Sequence, residues 1–255
     1  MDASAVASAP DPGVLPGDVG PPLLTCYDDA TGERTELSAM ALGVWAARTA
    51  ALLRDGCGLG GGDRAAVLLP PHWQTAAVLL GAWSIGVSVS IRLAATAGLP
   101  VVGPGADEPL DAVFAARGRV DDWLEDVPVA RHRFVLDVGP KAAPGRPAPD
   151  GYRSFLAEAS RHDGQAPAYA LVSPGDPASV DGTSYAELGT VALGIAEQQD
   201  ITAGDRVLVD AGQHEHPLFW LLAPLAVGAS VVLCVNMNPD LLDVRVATEG
   251  VTRVL

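Results

Sequence analysis

Three groupings in the chain have the residue types and spacing of reactive or ligand-binding sites. His214-Glu215-His216 would put two imidazoles on one face of an extended segment, the start of a metal site. No third ligand is spaced to join them, so they read as a loop at a strand's carboxyl end and no metal is expected. Gly56-Cys57-Gly58-Leu59-Gly60-Gly61 has the Gly-x-Gly-x-x-Gly spacing that brings backbone close to a dinucleotide pyrophosphate. That fingerprint must follow a strand and open a helix; here it follows a helical pattern and opens a strand, which makes these turn glycines. Ser88, in Gly86-Val87-Ser88-Val89-Ser90, lacks the Gly-x-Ser-x-Gly elbow and sits in an apolar strand, so no hydrolase nucleophile is expected there. Cys26, Cys57 and Cys234 are odd in number and widely spaced, the pattern of reduced thiols in a cytoplasmic protein. No residue is assigned a catalytic role.

The elements that must position these groups occur twice. Gly62-Asp63-Arg64 recurs as Gly204-Asp205-Arg206, an offset of 142 (204 minus 62). The same offset carries Val67 to Val209, His72 to His214, Leu79-Leu80 to Leu221-Leu222, Gly86 to Gly228 and Ser88-Val89 to Ser230-Val231. Two copies are too few for a solenoid and point to two similar α/β lobes. Each copy reads as helix, Gly-Asp-Arg turn, buried strand, apolar helix, Gly-led strand. The helices are expected at 39–53 (with Ser38 as N-cap), 73–83, 185–198 and 217–227, and the strands at 65–69, 87–91, 206–211 and 230–235. A strand at 23–27 and a turn at 28–32 precede the first copy. Between the copies, 111–125 reads as helix, 130–137 as strand and 152–161 as a short helix, and 241–255 begins a further helix–strand unit. Strands alternating with helices imply parallel pairing through right-handed crossovers. The organisation read from this is a disordered tail (1–22), a first lobe (23–140), a linker with a short helix (141–164) and a second lobe (165–255).

Composition narrows the partners. The 255 residues are 49% hydrophobic and carry a net charge of −15, with only 16 Lys+Arg. A basic patch for nucleic acid or an anionic membrane cannot be built from so few cations. Just one of the 16 is a lysine, Lys141. The uncharged runs 65–91 and 217–235 are long enough to span a bilayer, but both are broken by proline and glycine and lack flanking basic clusters. They read as strands and helices buried in an α/β core, not as membrane spans.

The motifs carry a resemblance. Glu36-Leu37-Ser38, Gly62-Asp63-Arg64, Leu68-Leu69-Pro70 and Gly81-Ala82-Trp83-Ser84-Ile85-Gly86 resemble the N-terminal region of adenylate-forming enzymes, the superfamily of acyl-CoA synthetases, peptide-synthetase adenylation domains and luciferases. Pro224-Leu225-Ala226-Val227-Gly228-Ala229-Ser230-Val231 resembles the segment after that family's phosphate loop. More narrowly, Cys26 to Arg34 with His72-Trp73-Gln74-Thr75-Ala76 looks like a short, uncharacterised actinobacterial family related to that superfamily. The resemblance spans 23–255 and implies an α/β fold with the two lobes of that region, in a form shorter than the full-length enzymes.

It also implies where ATP chemistry would lie. The family's loop ends in Pro-Lys-Gly and cradles phosphates with backbone N–H groups and the lysine. The matching stretch is Ser173-Pro174-Gly175-Asp176-Pro177-Ala178-Ser179-Val180-Asp181-Gly182. Pro177 fits the family proline, so Ala178 stands in the lysine's place, and Asp176 and Asp181 bring negative charge. The family's later adenine, magnesium and ribose motifs and its small C-terminal domain do not appear in this sequence. The expectation is a non-catalytic, cytoplasmic binding or interaction module with no cofactor, ATP and AMP being disfavoured. The second reading is an adenylate-forming ligase completed in trans by another polypeptide. By the same resemblance the loops after Leu69 and Ala211 and the stretch Ser173 to Gly182 should frame a pocket, with His214 and His216 as its candidate residues. The apolar end at Val254-Leu255 points to a mate, with another protein and a second copy both left open.

Overall fold

The computed structural model describes residues 20–99, 103–106, 108–122, 127–139, 146–164 and 172–255. Most of the expected tail (1–19), the linker around Lys141 (140–145) and the start of the second lobe (165–171) lie outside the described residues.

The described residues open with a hairpin. Strands β1 (Pro22–Asp28) and β2 (Glu33–Ser38) pair antiparallel across a turn closed by Gly32 N–H donating to the Asp28 carbonyl at 2.8 Å. Ser38 ends β2 and caps α1 (Ala39–Ala51), its Oγ accepting the Ala41 N–H at 3.0 Å. A π-helical turn (Leu52–Gly56) extends α1 to the Gly-Asp-Arg turn. Then follow β3 (Arg64–Leu68), α2 (Trp73–Ser84), β4 (Ser88–Ile91), β5 (Leu110–Ala116), the single turn α3 (Arg117–Val120), β6 (Ala130–Leu136), β7 (Arg153–Ser154) and α4 (Phe155–Ala159). The rest is α5 (Tyr185–Gln198), β8 (Arg206–Asp210), a π-helical turn (Leu218–Leu222) running into α6 (Ala223–Ala226), β9 (Ser230–Val235), α7 (Leu242–Glu249) and β10 (Arg253–Val254).

Ten strands form two sheets, ordered β10-β8-β9-β1-β2 and β4-β3-β5-β6-β7 among the described residues. Every pairing is parallel except the β1–β2 hairpin. The sheets do not follow the expected division of the chain. β1 and β2 come from 23–140 yet complete the sheet of β8, β9 and β10. The physical reason is in β1, where Leu24, Thr25 and Cys26 are buried on both faces, so the strand needs a neighbour on each edge.

The expected helix over 111–125 is corrected to strand β5, followed by one helical turn. The Ala-rich Leu110–Ala116 run favours helix by propensity, but Ala112 to Ala116 are all buried and the segment lies between β3 and β6. Phe114 faces one core and Val113 and Ala115 the other, the period of a strand covered on both sides.

The main core runs from Leu24 and Leu37 through Trp45 and Trp73 to Phe114, Phe134, Val207 and Val231, so residues of both sheets share it with α1 and α2. Ten of the twelve residues of α2 are buried, which accounts for the long uncharged run around it. No helix is long and apolar enough to cross a membrane among the described residues.

The two Gly-Asp-Arg turns are built alike. Gly62 and Gly204 take φ of 94° and 84°, the left-handed region that glycine tolerates. Asp63 accepts the Gly60 N–H at 2.8 Å and Asp205 the Thr202 N–H at 2.7 Å. Ser88 and Ser230 then donate N–H to the Asp63 and Asp205 carbonyls at 3.0 and 2.8 Å. Their function is to hold strand starts in register.

Helices α1 and α2 approach so closely that a Cβ on Gly81 would sit 2.6 Å from both the Ala46 carbonyl oxygen and the Thr49 Cβ. Gly81→Ala is therefore expected to destabilise by roughly 1–3 kcal/mol through overpacking. Gly189→Ala, on the exposed side of α5 with nothing within 4 Å, is expected to stabilise by about 0.5–1 kcal/mol. Urea denaturation of both variants checks the pair; equal effects would show that the helix crossing is not close-packed.

Candidate functional site

The stretch Ser173 to Gly182 folds onto itself and onto the edge of β4. Ser173 N–H donates to the Asp176 carboxylate at 2.7 Å, and Thr183 N–H to the Asp181 carboxylate at 2.9 Å. Asp176, Ala178, Ser179 and Gly182 donate their N–H groups to carbonyls of the same segment at 2.8 to 3.1 Å. Pro174 and Pro177 have no N–H to give. Ala178 is buried, and its carbonyl accepts both the Val89 N–H and the Trp83 indole N–H at 2.9 Å. These bonds set the segment beside β4, with Val89 bridging to Ser179 and Pro177 to Ser184. The hydrogen bond from Thr183 leads in lowering the Asp181 pKa, keeping that carboxylate charged. Ser184 then caps α5, its hydroxyl accepting from the Glu187 N–H while Glu187 accepts the Ser184 N–H at 2.8 Å.

His214 and His216 have separate local roles. The His214 ring lies 5.1 Å from Phe219. His216 Nδ1 accepts the Leu218 N–H at 3.2 Å, and burial lowers its pKa. Glu215 between them bridges to the first copy, its carboxylate accepting the N–H groups of Ala94 and Ala95. Among the described residues no three His, Cys, Asp or Glu side chains converge to hold a metal.

The structural counterpart of His72 is His216, not the His214 given by the constant offset. His72 Nδ1 accepts the Gln74 N–H at 3.2 Å and starts α2 as His216 starts its π-helical turn. Strands β3 and β8 still end 142 apart, at Leu68 and Asp210, and the turns at Gly86 and Gly228 keep the offset. Between those points the second copy has a loop two residues longer and a helical segment correspondingly shorter.

A cavity of about 340 Å³ opens at the carboxyl ends of β1, β3, β6 and β9. Pro70 to Gln74, from the loop after Leu69, form one wall. Tyr27, Asp28 and Glu33 of the hairpin and Asp137 to Gly139 beyond β6 form others. Neither the loop after Ala211 nor Ser173 to Gly182 lines it, nor do His214 and His216. The hairpin residues and Gln74 escape motif reading because they converge from opposite sheets. Only the alternation of polar Glu33 and Thr35 on β2 marks a face that meets something polar.

The cavity's electrostatics follow from its lining. Burial pushes the His72 pKa down to about 4, overriding the nearby Asp28, so the ring is neutral. With Nδ1 accepting from Gln74, the proton sits on Nε2 and makes that atom a donor. Gln74 is 5% exposed and its Oε1 is buried with no hydrogen-bond partner among the described residues. Asp137 is engaged by the buried Arg117 guanidinium, which also holds the Arg146 and Pro147 carbonyls at 3.1 Å. Burial pushes the Cys26 thiol up to about 12, so it stays protonated and unreactive.

No family model matches the chain. A "TIGR03089 family protein" of Mycobacterium tuberculosis is 38% identical over 251 residues, covering 96% of this chain and 95% of that protein. Among solved structures, an acyl-CoA synthetase of Brucella canis superposes with a TM-score of 0.68 at 18% identity, over 93% of this chain and 45% of that one. VinN in complex with 3-methylaspartate superposes with a TM-score of 0.61 at 21% identity, over 90% of this chain and 60% of that one. At these identities the solved structures establish the fold, that of adenylate-forming enzyme domains. The chain spans less than two thirds of the length of either.

Proposed function

The chain belongs to the TIGR03089 family, and from that footing we propose that it works in the cytoplasm as a non-catalytic binding or interaction module on the adenylate-forming scaffold. The observation that carries this reading is the state of Ser173 to Gly182. A phosphate cradle needs N–H groups turned outward with positive charge nearby. In this segment the amides of Ser173, Asp176, Ala178, Ser179, Gly182 and Thr183 are taken by the segment's own carboxylates and carbonyls. Asp176 and Asp181 occupy the role an anion would fill, and the position matching the family lysine is the buried Ala178. ATP would have to displace two carboxylates and meet no compensating cation in the segment.

Purified protein is accordingly expected to show no thermal shift with millimolar Mg-ATP and no ATP–pyrophosphate exchange across a panel of carboxylic acids. Ala178→Lys is expected to leave exchange absent and to lower the melting temperature, because the new ammonium would start from a buried Cβ. A clear Mg-ATP shift in the natural protein, or exchange in the lysine variant, would overturn the reading.

A second reading draws on length. The chain spans 45% of the acyl-CoA synthetase it superposes on, so an adenylate-forming ligase could be completed in trans by another polypeptide. Exchange that appears only with a co-purified protein would favour it over the first.

A further inference from the structure

We propose that the cavity at the carboxyl ends of β1, β3 and β6 is a binding site for a small alkylammonium compound, its charged nitrogen held by Glu33, Asp28 and the Gln74 carboxamide oxygen. The inference rests on the reading of the chain as a binding module and names the ligand class. Three observations converge on it.

The first is the orphaned acceptor. A buried amide oxygen without a partner costs on the order of 1–3 kcal/mol, and Gln74 Oε1 is such an atom in a residue 5% exposed on the cavity wall. A ligand N–H would satisfy it. A carboxylate ligand, which offers only acceptors at neutral pH, would not.

The second is charge. Asp28, Glu33 and Asp137 line the cavity, and among the described residues no lysine or arginine does. Arg117 neutralises Asp137 from behind. Among the described residues Asp28 Oδ1 accepts only neutral donors, the Ala30 N–H at 2.9 Å and the Asn236 amide at 2.8 Å. Glu33 accepts the Thr35 hydroxyl at 3.3 Å. Neither Asp28 nor Glu33 has a cationic partner among the described residues. An anion entering here would meet two uncompensated carboxylates, whereas an ammonium would supply the missing countercharge.

The third is size and wall chemistry. About 340 Å³ is at the small end of ligand pockets. Trp73, Val138 and Leu156 give the cavity an apolar side on which an alkyl chain can lie. His72, neutral with its proton on Nε2, adds a donor for a hydroxyl or carbonyl elsewhere on the ligand without repelling the cation.

An isosteric series tests this with the full chain. Butylammonium, 1-butanol and butyrate are titrated into ¹⁵N-labelled protein, and shifts are read at the Gln74 side-chain amide and the His72–Gln74 backbone amides. Butylammonium is expected to give saturable shifts there, butanol to bind about tenfold more weakly, and butyrate to give none. Glu33→Gln and Gln74→Leu are each expected to weaken butylammonium about tenfold. Glu33 is exposed on β2, so its variant reports on binding even if Gln74→Leu perturbs the core. Butyrate binding as tightly as butylammonium, no saturable shift with butylammonium, or an unchanged affinity in Glu33→Gln would overturn the inference. Those outcomes are separable from failure of the wider reading, which turns on Mg-ATP: an inert ATP response with no ammonium binding sinks only this site.

Discussion

Glu249→Gln is expected to lower the unfolding free energy at pH 7 by about 3 kcal/mol. The Glu249 side chain is 5% exposed at the end of α7, where it accepts from Arg206 at 2.6 Å, Arg34 at 2.7 Å and the Tyr27 hydroxyl at 2.5 Å. Burial alone would raise its pKa, but these three hydrogen bonds outweigh it and hold the carboxyl at about 2. Arg34 is 41% exposed, so water screens its share. Arg206, 15% exposed, is the better shielded of the two cations and would be left facing a neutral amide. Because the folded pKa lies below the ordinary 4.5, the carboxylate's contribution is complete above about pH 4.5 and is lost as the pH falls towards 2. Denaturation followed by circular dichroism from pH 7 to pH 2 should show that loss in the natural protein and a flatter limb in the glutamine variant. Superimposable acid limbs would mean the cluster is not a stabilising network. What the network joins is also the consequence for the fold. Tyr27 and Arg34 lie on the opening hairpin, Arg206 at the start of β8 and Glu249 just before β10, so one carboxylate fastens the first and last parts of the described chain.

That long-range join marks where the sequence stops being readable. Local features were legible because local physics sets them. Ser38 caps α1, α5 spans 185–198 as its periodicity predicts, and the Gly-Asp-Arg turns need a left-handed glycine next to a side chain that can accept an N–H. Leu110–Ala116 was not legible, because alanine-rich apolar residues suit a buried helix and a doubly covered strand alike, and only the vacancy between β3 and β6 decides. Sheet membership was hidden for a related reason. The hairpin turn at 28–32 announces that β1 pairs with β2, but nothing within it says that the other edge of β1 will meet β9 some two hundred residues on. The cavity is the extreme case. Gln74 reads as an ordinary residue of an apolar helix, and Glu33 as an ordinary polar residue after a turn. Their chemistry exists only once the two sheets bring them to one wall. The exact sequence offset between the copies also misplaced one histidine, because identity at 214 was conserved in register while the capping role moved to 216.

His72 gives the second large effect, in a different pH window. Its ring packs 5.7 Å from that of Trp73 and caps α2 through Nδ1, and burial depresses its pKa from 6.5 to about 4. Unfolded chains therefore take up a proton on this histidine between pH 6.5 and 4, and the folded protein does not. Stability is full above pH 6.5 and is expected to fall by about 2–3 kcal/mol as the pH drops to 4, the lower figure allowing for the ring's contact with the cavity. The Asp28 carboxylate opposes the shift but does not cancel it. His72→Asn separates capping from titration, since asparagine keeps a side-chain acceptor for the Gln74 N–H and has no proton to gain. The variant should lose some packing against Trp73 at neutral pH, yet its stability should be nearly level between pH 6.5 and 4. Glu249→Gln should keep the full decline in that interval from its lower starting stability and change slope relative to the natural protein only below about pH 4.5. If His72→Asn and the natural protein decline with the same slope, the buried imidazole is not the group that senses the acid. A His72 that takes up a proton in the folded protein would set a positive charge on the cavity wall and repel an ammonium ligand there.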